Sequence, residues 1–259
     1  MRVAAVGSAN HVKRSDFMYG KIASGRRVQS AADDASGLAI INRLKKQSNG
    51  LDMGASNISD GISVANIKDG ALGTMQDSLQ RIYELSLKAS NGLYSADDKA
   101  MIQDEVDQIL QDIERTAVGT QFNEMKLMDG SMADMHIASN PDGTGMKIQM
   151  ENVTLQSLGL DGYNVTGNFD INDVIGAMEK ISTSRSGTGA ITNAMEHAYN
   201  YNVGSSQELV SSRSRIEDLD IPKAVSEQKK NKLLKDYQMV MLNKKMKDDS
   251  MVVRMFGSR

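Results

Sequence analysis

The sequence predicts a mainly α protein: long helices folded back on one another as an antiparallel rod or bundle, with a β-hairpin at one end. Three observations carry this. Apolar residues recur at alternating steps of four and three through Gly50–Val118, the period of a helix face with a seam of coiled-coil type. Aromatic residues make up only 4% of the chain, Trp is absent, and 18 Met are present. Thin helical bundles fill such cores with Leu, Ile, Met and Ala, whereas broad cores use more aromatic volume. One stretch, about 134–151, alternates with period two around a dense turn signal, as a half-buried hairpin does.

Residues 1–24 hold a weak stripe of Val12, Phe17, Tyr19 and Ile22, interrupted by Gly7 and Gly20. Ser24-Gly25 punctuates the chain. Ala32-Asp33-Asp34 then places carboxylates in the first turn of a helix, near its positive dipole end. That first helix is expected over about 33–90. Its seam runs through Leu51, Ala55, Ile58, Ile62 and Ala65, and resumes after Asp69 at Leu72, Met75, Leu79 and Ile82. Gly50, Gly54, Gly61, Gly70 and Gly73 interrupt it, each at a cost of about 1 kcal/mol against Ala. They fit either close packing or a helix built to be unfolded and remade.

Ser90-Asn91-Gly92 breaks the pattern. A second helix, about 97–118, carries Ile102, Val106, Ile109, Ile113 and Ala117, and capping explains its Asp97-Asp98 pair. In the hairpin, Met135 and Ile137 alternate with Asp134, His136 and Ala138, and Met146, Ile148 and Met150 with Lys147, Gln149 and Glu151. Asn140-Pro141-Asp142-Gly143-Thr144-Gly145 turns between them. Leu155–Gly167 reads as loop and short turns. A third helix, about 170–212, starts at Asp170 with Ile171, Val174, Met178 and Ile181. It continues at Ile191, Met195 and Ala198, then weakens where Asn202 and Ser205 fall on the seam. Asp220 and Pro222 mark a last helix start. That segment holds Val225, Leu233, Leu234, Tyr237, Val240 and Met241, then Met251, Val252, Val253 and Phe256, among many lysines.

Several function classes are disfavoured. With no Cys there is no disulfide, thiol nucleophile or thiolate metal site. His11, His136 and His197 lack metal-ligand spacing, and no phosphate-binding loop is present. No cofactor is expected. A net charge of -3 does not argue for nucleic acid. The lysines at 229–247 read as a solvated helix face or as a contact for acidic lipid or nucleic acid. The solvated face is favoured because aromatic residues are not interleaved as single-strand binders require. No apolar run approaches the roughly 20 residues of a membrane span. Val3–Val6 is too short for the core of a secretory signal, so the chain is expected to be cytosolic, or exported without a cleaved signal. A low-aromatic helical rod suits a structural or assembling protein better than an enzyme.

Ser24-Gly25-Arg26-Arg27-Val28 followed by Ala32–Ile40 resembles the start of the rod domain of bacterial flagellins. So do Asp60–Ala65, Gly70-Ala71-Leu72, Leu79–Ser86, Ile102–Glu105, Thr120–Asn123 and, near the other end, Ser212–Asp218. These stretches lie in the family's order across roughly residues 24–220. The resemblance implies a rod domain over 33–220 built from both chain ends. An inner domain would be formed by an N-terminal arm (1–32) and a lysine-rich C-terminal arm (221–259). Such arms are expected to be largely disordered in a monomer, since each lacks its partner. Only the hairpin and short loops separate the halves, which implies a minimal member without the variable outer domains.

The resemblance also implies function. The protein would be a filament subunit, exported unfolded through the flagellar apparatus with a secretion chaperone and polymerised under a cap, alongside junction proteins. A hook–filament junction protein, and a secreted signalling or adhesion module that does not polymerise, are the alternatives. The family's rod is read by the flagellin-sensing Toll-like receptor of animals. Carried over residue by residue, that surface is Arg81, Leu85 and Glu105, with Gln80 beside them, presented outward. The same face packs on neighbouring subunits in a filament. Tyr83 and Ile109 stand where many recognised members carry Arg. Asp248-Asp249 and the lysines depart from the family's usual arm of Ala, Gln, Asn and Leu.

Overall fold

The structure is a computed structural model that describes residues 18–256, with side chains described over 18–248 and at Ser250. Val12, Phe17 and His11 lie outside the described residues, and so do the side chains of Met251, Val252, Val253 and Phe256. Residues 18–24 are helical. There follow α1 (Ala35–Ala89), α2 (Ala96–Gly119), β1 (Gln121–Phe122), β2 (Met125–Lys126), β3 (Asp134–Ala138), β4 (Gly145–Gln149), α3 (Leu155–Leu158), α4 (Ile171–Glu217) and α5 (Ile221–Phe256). The chain is mainly α, with long helices and two small antiparallel strand pairs. It divides into two compact units, Gln47–Gln207 and Met1–Lys46 with Glu208–Arg259, the dividing points falling inside α1 and α4.

The unit over 47–207 is built on one seam. Ile58, Ala65, Leu72, Met75, Leu79, Ile82, Leu85 and Ala89 of α1 join Ile102, Val106, Leu110, Ile113 and Ala117 of α2, and Val174, Ala177, Ile181 and Met195 of α4, in a single core. Leu110, not the expected Ile109, takes the buried seam position of α2, because steps of four lead from Ile102 through Val106 to Leu110. Helix α4 runs antiparallel to α1. A Cβ at Gly54 would touch Asn202 and one at Gly61 would touch Met195, and Asp69 pairs with Arg185 at 3.1 Å. Buried Ser184, Thr188, Asn202 and Ser206 continue the α4 seam, so the stripe turns polar instead of ending.

The hairpin explains that change. Strands β3 and β4 pair with Met135 opposite Ile148 and Ile137 opposite Met146. Ile137 and Ile148 are buried and His136 is exposed. An isolated two-stranded hairpin is marginal in water. Here three helix side chains hold its backbone: Asn57 Nδ2 donates to Ala138 O at 2.9 Å, Asn202 Nδ2 to Ser139 O at 2.7 Å, and Lys68 Nζ to Gln149 O at 2.7 Å. Close approach requires small residues beneath. A Cβ at Gly54 would stand 2.2 Å from Ser139 O, and one at Gly50 would stand 2.6 Å from Pro141 Cβ. The glycines at 50, 54 and 61 therefore serve close packing, chiefly against the hairpin, whereas Gly70 has open space around it.

Leu155–Gly167, read as loop, contributes buried Leu158, Leu160, Tyr163 and Val165. It is tied down by Gln103, which accepts from Val165 N at 2.6 Å and donates to Tyr163 O at 3.1 Å. Glu114 accepts from Leu155 N, and Tyr163 Oη donates to the buried Ser86 Oγ at 2.9 Å.

The other unit is organised by a junction of distant segments. Gly25 takes a left-handed φ of 69°, and Leu219 N donates to its carbonyl at 2.8 Å while Arg27 N donates to Glu217 O at 2.6 Å. Arg26 pairs with Glu217 at 3.0 Å, and Arg27 Nη2 donates to Ile216 O. Asp33 accepts from the backbone of Gln29 and Ser30 and pairs with Lys21 at 3.0 Å. Asp220 caps α5, accepting from Lys223 N at 3.1 Å. Helix α5 is a single helix of 36 residues. It contains no Gly, its one Pro is at the second position, and Lys, Leu, Met and Gln favour helix.

Two measurements check this description. In urea, Gly54→Ala should lower stability by about 1–3 kcal/mol through forced displacement of the hairpin, while Gly70→Ala should raise it by about 0.5–1 kcal/mol. Equal effects would remove the steric role of Gly54. The Asp33 carboxyl is lowered from 3.8 to about 2, first by the Gln29 backbone hydrogen bond and then by Lys21. A folded value below the unfolded one means its contribution is complete above about pH 4 and disappears as pH falls through about 2. A carbon-detected NMR titration of Asp33 should show that low midpoint, and an ordinary one would refute the assignment.

Candidate interaction surface

The expected surface lies where the last turns of α1 face the first turns of α2. The connection is short. Ser95 and Asp98 form a reciprocal capping box, with Asp98 N donating to Ser95 Oγ at 3.2 Å and Ser95 N to Asp98 Oδ2 at 3.0 Å. These bonds, the Ser95 hydroxyl first, hold the Asp98 carboxyl below its ordinary value. Lys88 lies over the Tyr94 ring, 5.6 Å from its centre, which helps fold the turn back.

This turn brings Arg81 onto Glu105. Arg81 Nε and Nη2 both donate to Glu105 Oε1, at 2.8 and 2.6 Å, and Nη1 reaches Glu84 at 3.4 Å. The Glu105 hydrogen bonds raise the Arg81 guanidinium further above its ordinary value. Both side chains are about half exposed, 52% and 45%, so the pair stands in water and its electrostatic contribution to stability is screened. What it offers is a fixed donor and acceptor set at the surface.

Leu85 departs from the expectation. It is only 3% exposed and belongs to the core, so it is not presented outward. The reason is the seam itself. Ile82 is followed by Leu85 three residues on and Ala89 four residues after that, the same spacing that buries Leu79 and Ile82. The spacing already in the sequence could have placed it inside. Gln80 is exposed, but it lines a cavity of about 320 Å³ with Tyr83 of α1 and Met178 and Glu179 of α4, not the Arg81–Glu105 pair. Tyr83 and Ile109 are half-buried and pack against the core, so an Arg at either place would leave that packing.

Two stretches that resemble the family from opposite ends of the chain, Ser24–Val28 and Ser212–Asp218, meet at the Arg26–Glu217 junction. Within the second, Arg213 pairs with Glu217 at 3.4 Å. Beyond it, α5 leaves Leu233, Tyr237 and Val240 exposed at 72%, 61% and 64%.

Comparison with known proteins is consistent along the chain. Residues 12–133 match the bacterial flagellin N-terminal helical region, and residues 171–256 match the bacterial flagellin C-terminal helical region. Phase 1 flagellin of Salmonella naestved is 41% identical over 148 residues, 57% of this chain and 29% of that protein. The chain thus aligns with under a third of the length of that curated relative. Among solved structures, flagellin of Bacillus cereus is similar with a TM-score of 0.51 and 26% identity, covering 57% of this chain and 88% of that one. A putative flagellar hook-associated protein from Vibrio parahaemolyticus shares the fold, with a TM-score of 0.50 at 15% identity over 72% of this chain and 97% of that one. With both helical regions matched in order and joined through the Arg26–Glu217 junction, the chain belongs to the bacterial flagellin family.

Proposed function

We propose that this chain is a structural subunit of the extracellular bacterial flagellar filament, with no enzymatic role, self-assembling through its long helices and terminal arms. The observation that carries the reading is α5: a 36-residue helix whose large apolar side chains stay in water. Leu233, Leu234, Tyr237, Val240 and Met241 are all exposed, and burying them against copies of the chain would favour assembly. In this reading residues 33–220 form the family's rod domain, and 1–32 and 221–259 form its inner arms. Export without a cleaved signal, a secretion chaperone, the cap and junction proteins belong to the same reading. The lysines of α5 are spread around the helix among the exposed apolar side chains, and Asp248 lies among them.

The surface at Gln80, Arg81 and Glu105 is proposed as a subunit contact and as the region read by the flagellin-sensing Toll-like receptor. Leu85 supports it from beneath by holding α1 against the core. The hook-associated fold likeness favours one second reading, a hook–filament junction protein. That protein would bind filament ends without elongating them. A chain that did neither would be the non-polymerising signalling or adhesion module.

Seeding decides among these. Purified protein added to filament fragments should elongate them under electron microscopy, and capping without growth would shift the assignment to the junction. The triple variant Leu233→Ser, Tyr237→Ser, Val240→Ser should raise the concentration needed for growth by at least about tenfold. For the receptor, Arg81→Ala should weaken signalling in reporter cells with the unfolding midpoint unchanged, because the side chain is solvated. Leu85→Ala should instead cost about 2–5 kcal/mol of stability. Strong, equal signals from wild type and Arg81→Ala would take Arg81 out of the recognition surface.

A further inference from the structure

Helix α5 carries exposed apolar side chains on two of its faces. An α-helix turns by about 100° per residue. Leu233, Tyr237 and Val240, at steps of four and three, therefore share one face, with Met241 on its flank. Met239, Leu242 and Met246, at steps of three and four, share the roughly opposite face. Met239, Met241 and Met246 are 55%, 49% and 58% exposed, and none of the three belongs to the core. Elsewhere Met75, Met128 and Met195 are fully buried, while Met53 on α1 and Met101 on α2 are exposed.

A thioether in water needs no neighbouring group to react with hydrogen peroxide, only access. A sulfur lone pair attacks one peroxide oxygen, the O–O bond breaks as the S–O bond forms, and the proton on that oxygen passes to the departing one. The sulfur is oxidised to a sulfoxide and the peroxide is reduced to water. An apolar, flexible side chain becomes a polar one. In the free subunit this oxygen stays hydrated and costs the fold little. Once packed against an apolar neighbour it would lose its water without gaining a donor, which is unfavourable. With sulfurs on both faces, neither face of α5 can be covered without covering at least one of them.

We propose that Met239, Met241 and Met246 are a redox-sensitive modification site: peroxide converts them to sulfoxides in the free subunit and stops α5 from packing against a second copy of the chain. The inference rests on the reading of α5 as an assembly helix. A homopolymer offers copies on more than one side of a helix, which is where a helix apolar on two faces belongs. The modification is reversible, because methionine sulfoxide reductases return the thioether, with a dithiol oxidised to a disulfide and the oxygen released as water. The chain has no Cys, so the dithiol has no thiol or disulfide in the subunit to act on.

The full-length monomer is treated with hydrogen peroxide, its sulfoxides are mapped by peptide mass spectrometry, and it is then added to filament fragments. Met239, Met241 and Met246 should oxidise well before Met75, Met128 and Met195. The oxidised protein should keep its circular dichroism but need at least about tenfold more subunit for growth. Reductases of both epimer specificities with dithiothreitol should restore growth. The triple variant Met239→Leu, Met241→Leu, Met246→Leu should grow normally and keep growing after peroxide, whereas Met53→Leu with Met101→Leu should remain as sensitive as wild type. Growth unchanged with all three positions oxidised would overturn the proposal alone. So would a triple variant as sensitive as wild type. If that variant fails to grow untreated, the reductase carries the test, and growth not restored once the three sulfoxides are removed would overturn it. Wild type that never elongates fragments, even untreated, would overturn the filament reading and this inference with it.

Discussion

The unit over 47–207 depends on how a hairpin too small to stand alone is joined to two helices. Buried carbonyls need donors, and the strands supply none for Ala138, Ser139 and Gln149. Asn57, Asn202 and Lys68 reach across from α1 and α4 to provide them. The glycines of α1 let the strands come near enough for those bonds to form. This single arrangement accounts for features that look unrelated in the chain: helix glycines, an amide in an apolar stripe, and a lysine under a strand. It also sets the polar character of α4 over 184–206, where the helix faces backbone oxygens and small cavities instead of another apolar stripe.

Much of the fold is legible because it rests on periodicity. The three- and four-residue steps of α1 and α2, the alternation of β3 and β4, and the turn at Asn140–Gly145 are each written in consecutive residues. What is not legible depends on partners distant in the chain. Lys68 stands in the seam between Ala65 and Leu72, where the apolar pattern breaks, and only the presence of Gln149 O above it makes its burial tolerable. Asn202 weakens a stripe until its acceptor is known. The 155–167 segment has no period, yet it buries Tyr163 and Val165 because Gln103 and Ser86, on two other helices, take up its polar groups.

The expected interaction surface divides along the same line. Arg81 and Glu105 meet because a short capped turn reverses the chain, and capping residues are readable. Leu85 is carried along by its neighbourhood to Arg81 in sequence, although one helical turn is enough to move a side chain from the rim into the seam. An interaction surface on a narrow helix is thin. Its polar contacts and the apolar groups that hold them in place sit within one turn of each other, so a substitution at Leu85 acts on packing before it acts on any partner.

The junction at Gly25–Val28 and Ile216–Leu219 has a kinetic side. Arg27 and Ile216 are 189 residues apart in the chain, which makes this a contact of very high sequence separation, of the kind that slows folding. A chain delivered N-terminus first carries Arg26 and Arg27 long before Glu217 arrives. Until then the segments on either side of the junction have no way to lock. The junction therefore closes only once residue 217 is present.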